Sequence, residues 1–285
     1  MKAIRTVAEL QTRLKEMHLS PVGFVPTMGA LHEGHLSLVQ SAVQLCPIVV
    51  VSIFVNPAQF NDKNDLRNYP RTPDEDLALL KSALRESDLV FTPGVKEIYP
   101  EEDKRQFHFG NLDQVMEALH RPGHFNGVAQ VVSRLFEIVK PDIAIFGLKD
   151  FQQLAVIKAL VKQTDNNVRI IGNPIIREND GLAMSSRNRL LDPEIRHQAS
   201  IIYKTISAVT LMIKSSDITE IKSFVTDNIN SVPGFVVEYF EIVDDIDLIP
   251  LSKKNEMRID KRYFGCIAVV AGKIRLIDNI EIGLV

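Results

Sequence analysis

Tryptophan is absent from this chain, and cysteine occurs only twice, at Cys46 and Cys266. Two thiols in apolar surroundings build neither a disulfide scaffold nor a multi-cysteine metal site, and they read as buried, reduced groups. Charge of one sign is lacking too: 33 Lys and Arg against 36 Asp and Glu leave a formal charge of −3. That balance removes any general attraction to nucleic acid or anionic lipid, so neither is expected as a partner. No apolar run is long enough to span a bilayer, and no apolar signal core follows Met1; the expected location is the cytoplasm. Internal repeats and low-complexity stretches are missing, which excludes solenoids and disordered arrays. What is present is 285 residues, 45% hydrophobic and 24% charged, enough for one large domain or two unequal ones.

Proline and glycine punctuate the chain into alternating patterns. Thr6 reads as the cap of a helix reaching about His18, with Glu9 closing a capping box. An apolar run at 22–25 leads into a glycine-bearing turn and then an amphipathic run at 36–45. Pro47 opens a β-branched run at 48–55, the composition of a strand buried on both faces. A polar loop extends to Arg71, Thr72 caps a helix to about Glu86, and 89–91 is a short strand. Residues 113–120 fit a short helix and 127–139 a longer one, striped by Val128, Val131, Leu135 and Ile138. Further strands at 143–146 and 168–172 enclose a helix capped by Asp150. Strands alternating with helices of this length predict an α/β fold, a parallel sheet with helices on both faces. From 174 onward the order changes to two helices and then strands at 235–243, 263–270 and 273–277. The expected division is 1–175 and a smaller α+β domain at 176–285.

In parallel sheets of this kind ligands bind beyond the carboxyl ends of the strands, and the polar exceptions in the sequence fall there. Residues 26–35 read Pro-Thr-Met-Gly-Ala-Leu-His-Glu-Gly-His, a strand-to-helix turn. Its backbone N–H groups and positive helix end form a ready seat for phosphate. His32 and His35, three apart, share one side of the first helical turn and can donate to phosphate oxygens. A metal is the rival reading, but it needs a third ligand that no neighbouring cysteine or carboxylate–histidine cluster supplies. Lys149 projects from a strand end as a mobile positive charge, with Gln153 one turn on. Asn56 and Gln59 offer neutral hydrogen bonding suited to hydroxyls or a carboxylate. Met184, Ser185, Ser186 and Arg187 form a small, polar, basic loop able to hold a polyphosphate. Asp180-Gly181 before it supplies a turn on which it could swing.

Taken together these stretches resemble the pantothenate synthetases, the pantoate–β-alanine ligases. The resemblance rests on residues 26–35, 52–60, 69–71, 120–125, 146–153, 177–188 and 275–280, in that order over nearly the whole chain. The His-x-Gly-His of 32–35 alone indicates only the wider nucleotidyltransferase superfamily; the full set is specific. The resemblance implies a Rossmann-like domain with a smaller C-terminal lid, a homodimer, and ATP with Mg²⁺ as cosubstrate. By matched position, Met28, Gly29, Ala30, Leu31, His32, Glu33, Gly34 and His35 would line the ATP site, with His35 as proton donor. Gly147, Leu148, Lys149, Asp150, Ile176, Met184, Ser185, Ser186 and Arg187 would complete it. Gln59 and Gln153 would hold pantoate, with Gln59 also near β-alanine and Asn56 beside it. Asp76 and Glu75 fall where family members place an acidic metal contact. Two departures stand out: Leu148 replaces a common glutamate, and Asn61-Asp62-Lys63 replaces a stretch that often begins with glycine.

The reaction so implied is ATP-dependent joining of pantoate to β-alanine through pantoyl adenylate, releasing pyrophosphate and then AMP. It needs charge neutralisation and positioning rather than a covalent nucleophile, in keeping with hydroxyls at Ser185 and Ser186 that have no paired base. An adenylyltransferase that stops at the adenylate, a nucleotide-sensing regulator and a metallohydrolase are the alternative readings of the same residues.

Overall fold

The β-branched run Ile48–Ile53 is buried along almost its whole length and lies inside a six-stranded parallel sheet. The computed structural model describes residues 1–61 and 63–283, and of Lys63 the backbone alone, so within the 61–63 departure Asp62 and the Lys63 side chain lie outside what is described. In chain order the elements are β1 (Lys2–Ile4), α1 (Val7–Met17), β2 (Val22–Thr27), α2 (Glu33–Leu45), β3 (Ile48–Ile53), α3 (Lys63–Asn68), α4 (Pro73–Leu80) and β4 (Leu89–Phe91). They continue with α5 (Val95–Ile98), α6 (Glu117–His120), α7 (His124–Val139), β5 (Ile143–Gly147), α8 (Phe151–Gln163) and β6 (Arg169–Asn173). The C-terminal part holds α9 (Pro193–Gln198), α10 (Ile201–Met212), α11 (Ile218–Asn230), β7 (Phe235–Asp244), β8 (Tyr263–Ala271) and β9 (Ile274–Ile282).

The large sheet runs β1-β4-β3-β2-β5-β6, and β7-β8-β9 form a separate antiparallel sheet. Helices cover both faces of the large sheet. On one, α7 and α8 pack Val128, Leu135, Leu154 and Ile157 against Phe24 and Val50. On the other, α2 and α4 pack Val39 and Leu80 against Val25 and Val51. Phe264 and Cys266 of β8 join the first of these cores, with the Phe264 ring 4.3 Å from that of Phe151, so the small sheet packs on the helical layer of that face. Both cysteines are buried and free, as expected.

Several boundaries differ from the sequence reading. The polar loop before Arg71 contains the short helix α3. The helix from Thr72 ends at Leu80, beyond which residues 82 and 83 bond three back in tighter turns. Thr72 does not cap it; its hydroxyl donates to Asp76 at 3.1 Å. The long helix expected from Pro193 tightens at Ala199 and Ser200 and splits into α9 and α10. Asp150 stands at the start of α8 without capping it, its carboxylate lying 3.8 Å from the Lys149 ammonium.

Candidate active site

Strand β2 pairs with β3 on one side and β5 on the other, all parallel. The helix that follows β2 covers one face of the sheet and the helix that follows β5 covers the opposite face. The strand order reverses there, and a crevice opens at the carboxyl ends. It brings together Met28, His32, Gly34 and His35 after β2, Gln59 after β3, and Gly147, Lys149, Asp150 and Gln153 after β5. Ile176, Met184, Ser185, Ser186 and Arg187 close it from the segment after β6. Its volume, counting the space open to solvent at the mouth, is about 1220 Å³. Residues drawn from four separate stretches thus line one space.

The turn after β2 does not present its backbone as a phosphate cradle, contrary to expectation. Gly29 donates to the Thr27 hydroxyl, while Ala30 and Leu31 donate to the two carboxylate oxygens of Asp76 at 3.0 and 2.7 Å. Gly29 and Ala30 both have positive φ, 79° and 49°, and the Asp76 carboxylate fills the anion seat that this bend creates. Asp76 is 2% exposed and does not line the crevice. Ala30 and Leu31 are buried behind the turn, and Glu33 is exposed beside it; Leu31 and Glu33 line an adjoining groove instead. The N–H groups of residues 29–31 are thus engaged within the protein, and the turn offers the crevice side chains instead.

His32 and His35 are arranged for that. The Gly34 N–H donates to His32 Nδ1 at 3.1 Å, and the His32 N–H donates to His35 Nδ1 at 3.3 Å. An imidazole nitrogen that accepts cannot carry the proton, so each neutral ring bears it on Nε2 and offers an Nε2–H donor. Burial, with Lys149 and Arg189 nearby, lowers the His32 pKa to about 4. Burial and then His32 and Lys149 hold His35 well below the ordinary histidine value. Gly34 is required by contact: a Cβ there would sit 2.8 Å from the His32 ring.

Lys149 follows β5 on a turn tied to β6, where the Leu148 N–H donates to the Asn173 carbonyl at 2.8 Å. The Leu148 side chain packs against Gly172 and the core and does not line the crevice. Gln59 is 8% exposed and points its amide at the Met28 sulfur, 2.9 Å away. Asn56, expected to touch substrate, is buried away from the crevice. Its amide donates to the Gly127 carbonyl at 3.0 Å and to Gln59 at 3.4 Å, so it positions Gln59 instead. Gln59 is held from its other end by His124, whose Nδ1 lies 2.8 Å from the Gln59 carbonyl. Gln153 faces the crevice from the first turn of α8, with its neighbour Gln152 turned the other way onto the Leu112 and Val115 carbonyls.

The segment after Ile176 is not a free hinge. Gly181 does take the left-handed turn, φ 94°, but Arg177 and Ala183 bridge across it and the Met184 N–H returns to the Ile176 carbonyl. Asn188 ties it further, donating to Glu178 and to the Ala183 carbonyl. Ser185 Oγ accepts from the Arg187 N–H at 3.2 Å, and buried Ser186 faces the Tyr69 phenol. Arg187 reaches Asp65 of α3 at 3.0 Å. Glu75, expected beside a metal, is exposed and pairs with Arg189 at 3.6 Å. With Asp76 occupied by backbone N–H groups, these two carboxylates do not fit a resident metal. Among the described residues no three His, Cys, Asp or Glu side chains form a metal-sized cluster.

Sequence reasoning missed one wall of the crevice. Val128, Val131, Val132 and Leu135 of α7 line it, yet their spacing is that of any core-facing stripe. The only available signal was the width of the stripe, since Val131 and Val132 are adjacent and both are buried.

A parallel sheet with a crevice at its switch point, lined by imidazole donors, lysine, arginine and paired glutamines, defines a nucleotide-dependent transferase or ligase. The model of the pantoate–β-alanine ligase family matches residues 2–281. The chain is 50% identical over 283 residues to a pantothenate synthetase from Bacteroides fragilis strain YCH46, covering 99% of each. It is 51% identical over 285 residues to one from Azobacteroides pseudotrichonymphae, covering 98% of this chain and 99% of the other. Its fold matches a crystal structure of pantothenate synthetase from Thermus thermophilus with a TM-score of 0.89 at 42% identity, over 99% of both chains. A pantoate–β-alanine ligase from Francisella tularensis, complexed with β,γ-ATP and β-alanine, gives a TM-score of 0.78 at 33% identity, over 99% of this chain and 97% of that one. The chain belongs to the pantoate–β-alanine ligase family, and it is an enzyme that forms pantothenate.

Proposed function

We propose that the crevice carries out both halves of the ligation, with the residue roles divided between its polar ends. In the first half the pantoate carboxylate attacks the α-phosphorus of ATP. The bond to the β-phosphate oxygen breaks, and pyrophosphate leaves. In the second half the β-alanine amine attacks the acyl carbon of pantoyl adenylate, AMP leaves, and the nitrogen gives up a proton. Lys149, the Nε2–H groups of His32 and His35, the hydroxyls of Ser185 and Ser186, and Arg187 meet the charge on the phosphates. Gln59 and Gln153 hold pantoate beside them, with Gln59 also reaching β-alanine. The α7 wall keeps water from the mixed anhydride. The observation that carries this reading is the tautomer of the paired histidines: each presents a neutral donor, which suits oxyanion contact and not metal ligation or proton abstraction. His35 therefore acts as a hydrogen-bond donor that follows developing charge.

Magnesium belongs to this scheme as the Mg²⁺–ATP complex. Such an ion keeps phosphate and water ligands and needs no protein cage. We place the enzyme in the cytoplasm as a homodimer, with a boundary near 175 between a nucleotide domain and a smaller C-terminal domain. Among the described residues no helix is long and apolar enough to cross a membrane.

The experiment is isotope exchange. Labelled pyrophosphate should enter ATP when pantoate is present and β-alanine absent, and should not when pantoate is omitted. Exchange that required β-alanine would defeat the two-step order. Sedimentation at micromolar concentration tests the dimer.

A further inference from the structure

Strand β9 reaches from the small sheet to the crevice, and two adjacent side chains on it hold both phosphate-facing segments. Asn279, 5% exposed, donates its amide to the Leu148 carbonyl at 2.9 Å and to the Lys149 carbonyl at 3.1 Å. Those two carbonyls bracket the Lys149 Cα. Its neighbour Asp278, also buried, accepts two bonds from the Arg177 guanidinium at 2.7 and 3.0 Å. Arg177 in turn donates to the Asn279 carbonyl at 3.2 Å and to the Gly181 carbonyl at 3.1 Å, and it stacks on Tyr203 at 3.8 Å. Arg177 and Gly181 belong to the turn that runs directly into Met184 and Ser185. Consecutive side chains on a strand point to opposite faces, which is how one dipeptide reaches two segments.

We infer that Asn279 is a positioning residue for Lys149, and that the Asp278–Asn279 pair sets the spacing between Lys149 and the Ser185–Arg187 loop. Neither residue lines the crevice itself; both line a small adjoining cavity that shares Lys149, Asp150 and Gln153 with it, and the hydrogen bonds from Asn279 act on the backbone that carries Lys149. A lysine is a mobile point charge on a long stem, and its reach is useful only if its Cα is held. Apart from the helix it starts, the strand pairing at Gly147 and the packing of the Leu148 side chain, this turn is tied by the backbone bond from Leu148 to Asn173. A displacement of about 1 Å at a reacting centre can cost on the order of a hundredfold in rate. The C-terminal sheet is thus a working part of the phosphate site, beyond any covering role.

The test is a double-mutant cycle with Asn279→Ala and Lys149→Ala, read in two ways. The kinetic arm rests on the proposed two-step order: pantoate-dependent pyrophosphate exchange, beside consumption of supplied pantoyl adenylate with β-alanine. Asn279→Ala should lower exchange by about tenfold or more, leave the pantoate KM within about twofold, and spare the second half-reaction. In the Lys149→Ala background it should cost nothing further. The second arm is Mg²⁺–ATP affinity by titration calorimetry across the same four proteins, with the same non-additive pattern expected. A wild-type chain that showed no pantoate-dependent exchange would defeat the two-step order, and the binding arm would still decide the role of Asn279. Thermal melts verify folding; if Asn279→Ala does not fold, Asn279→Ser leaves a smaller void and carries the same cycle. Wild-type behaviour of the single variant, additive losses, or equal loss in both half-reactions would each overturn the inference.

Discussion

Arg187 and Asp65 are paired: one guanidinium nitrogen lies 3.0 and 3.2 Å from the two carboxylate oxygens, with the group 5.4 Å above the Tyr69 ring. Arg187 is a phosphate contact in the proposed reaction, so arriving ATP must compete with Asp65 for it. A partly exposed ion pair of this kind is worth roughly 0.2–1 kcal/mol. Asp65→Asn should therefore tighten ATP binding, by up to about fivefold. Titration calorimetry reads it directly, and weaker binding would mean that Asp65 aims Arg187 instead of restraining it.

Gly127 supports the acid end of the crevice. A Cβ at this position would lie 2.3 Å from the Ala58 carbonyl oxygen and 2.8 Å from the Gln59 Cα. Both neighbours are backbone, so α7 or the segment carrying Gln59 must move. Overpacking of this sort costs roughly 1–3 kcal/mol. Gly127→Ala should lower the melting temperature and raise the KM for pantoate more than that for ATP. A pantoate KM unchanged in a folded variant would show that Gln59 does not hold the acid.

Neutral buried histidines make the free enzyme sensitive to acid. Burial lowers His124 to about 4, aided by Arg121, and His32 is lowered to a similar value. The unfolded chain takes up these protons near pH 6.5 and the folded chain only near pH 4. The stabilisation is thus complete above about pH 6.5 and is lost as pH falls towards 4. For deeply buried His124 the loss is at most on the order of 3 kcal/mol. Wild-type melting temperature should fall steeply across this window, and that of His124→Asn less steeply. Parallel curves would show that His124 titrates normally.

Lys149→Ala and His35→Ala remove contacts to developing phosphate charge, each worth roughly 2.7–4 kcal/mol, or about a hundredfold or more in rate. Adenylate formation should nearly disappear in both. Chemically supplied pantoyl adenylate should still be consumed with β-alanine at rates much closer to wild type. Equal failure of both half-reactions in folded variants would remove these residues from their assigned step.

Much of this was readable because the signals are local. The strand expected at 48–55 declares itself by a β-branched run interrupted only at Ser52 and Phe54, and it ends at Ile53; a strand covered on both faces has no polar side to show. The short strand Leu89–Phe91 and the helix ending at Val139 follow from the same reasoning. Residues 28–35 announce a strand-to-helix turn by their glycines, and Lys149 and Gln153 lie at a strand end and one turn beyond it. Chain order then implied the parallel sheet, and the parallel sheet implied where a site must open.

The tertiary structure alone decided which of these groups face a ligand. Asp76 lies 46 residues from Ala30 yet takes the N–H groups that looked free for phosphate. Asn279, 131 residues from Leu148, holds the turn that carries Lys149. Asn56 turns from the crevice to Gly127, and the α7 stripe serves the crevice as well as the core. In each case the partner is a backbone N–H or carbonyl, or an apolar surface. Every residue other than proline carries that donor and every residue that acceptor, so the sequence marks no backbone group as the intended partner. Side-chain chemistry and local period are written in the order of residues. The pairing of distant, chemically identical backbone groups exists only once the sheet has assembled and brought them within about 3 Å of their partners.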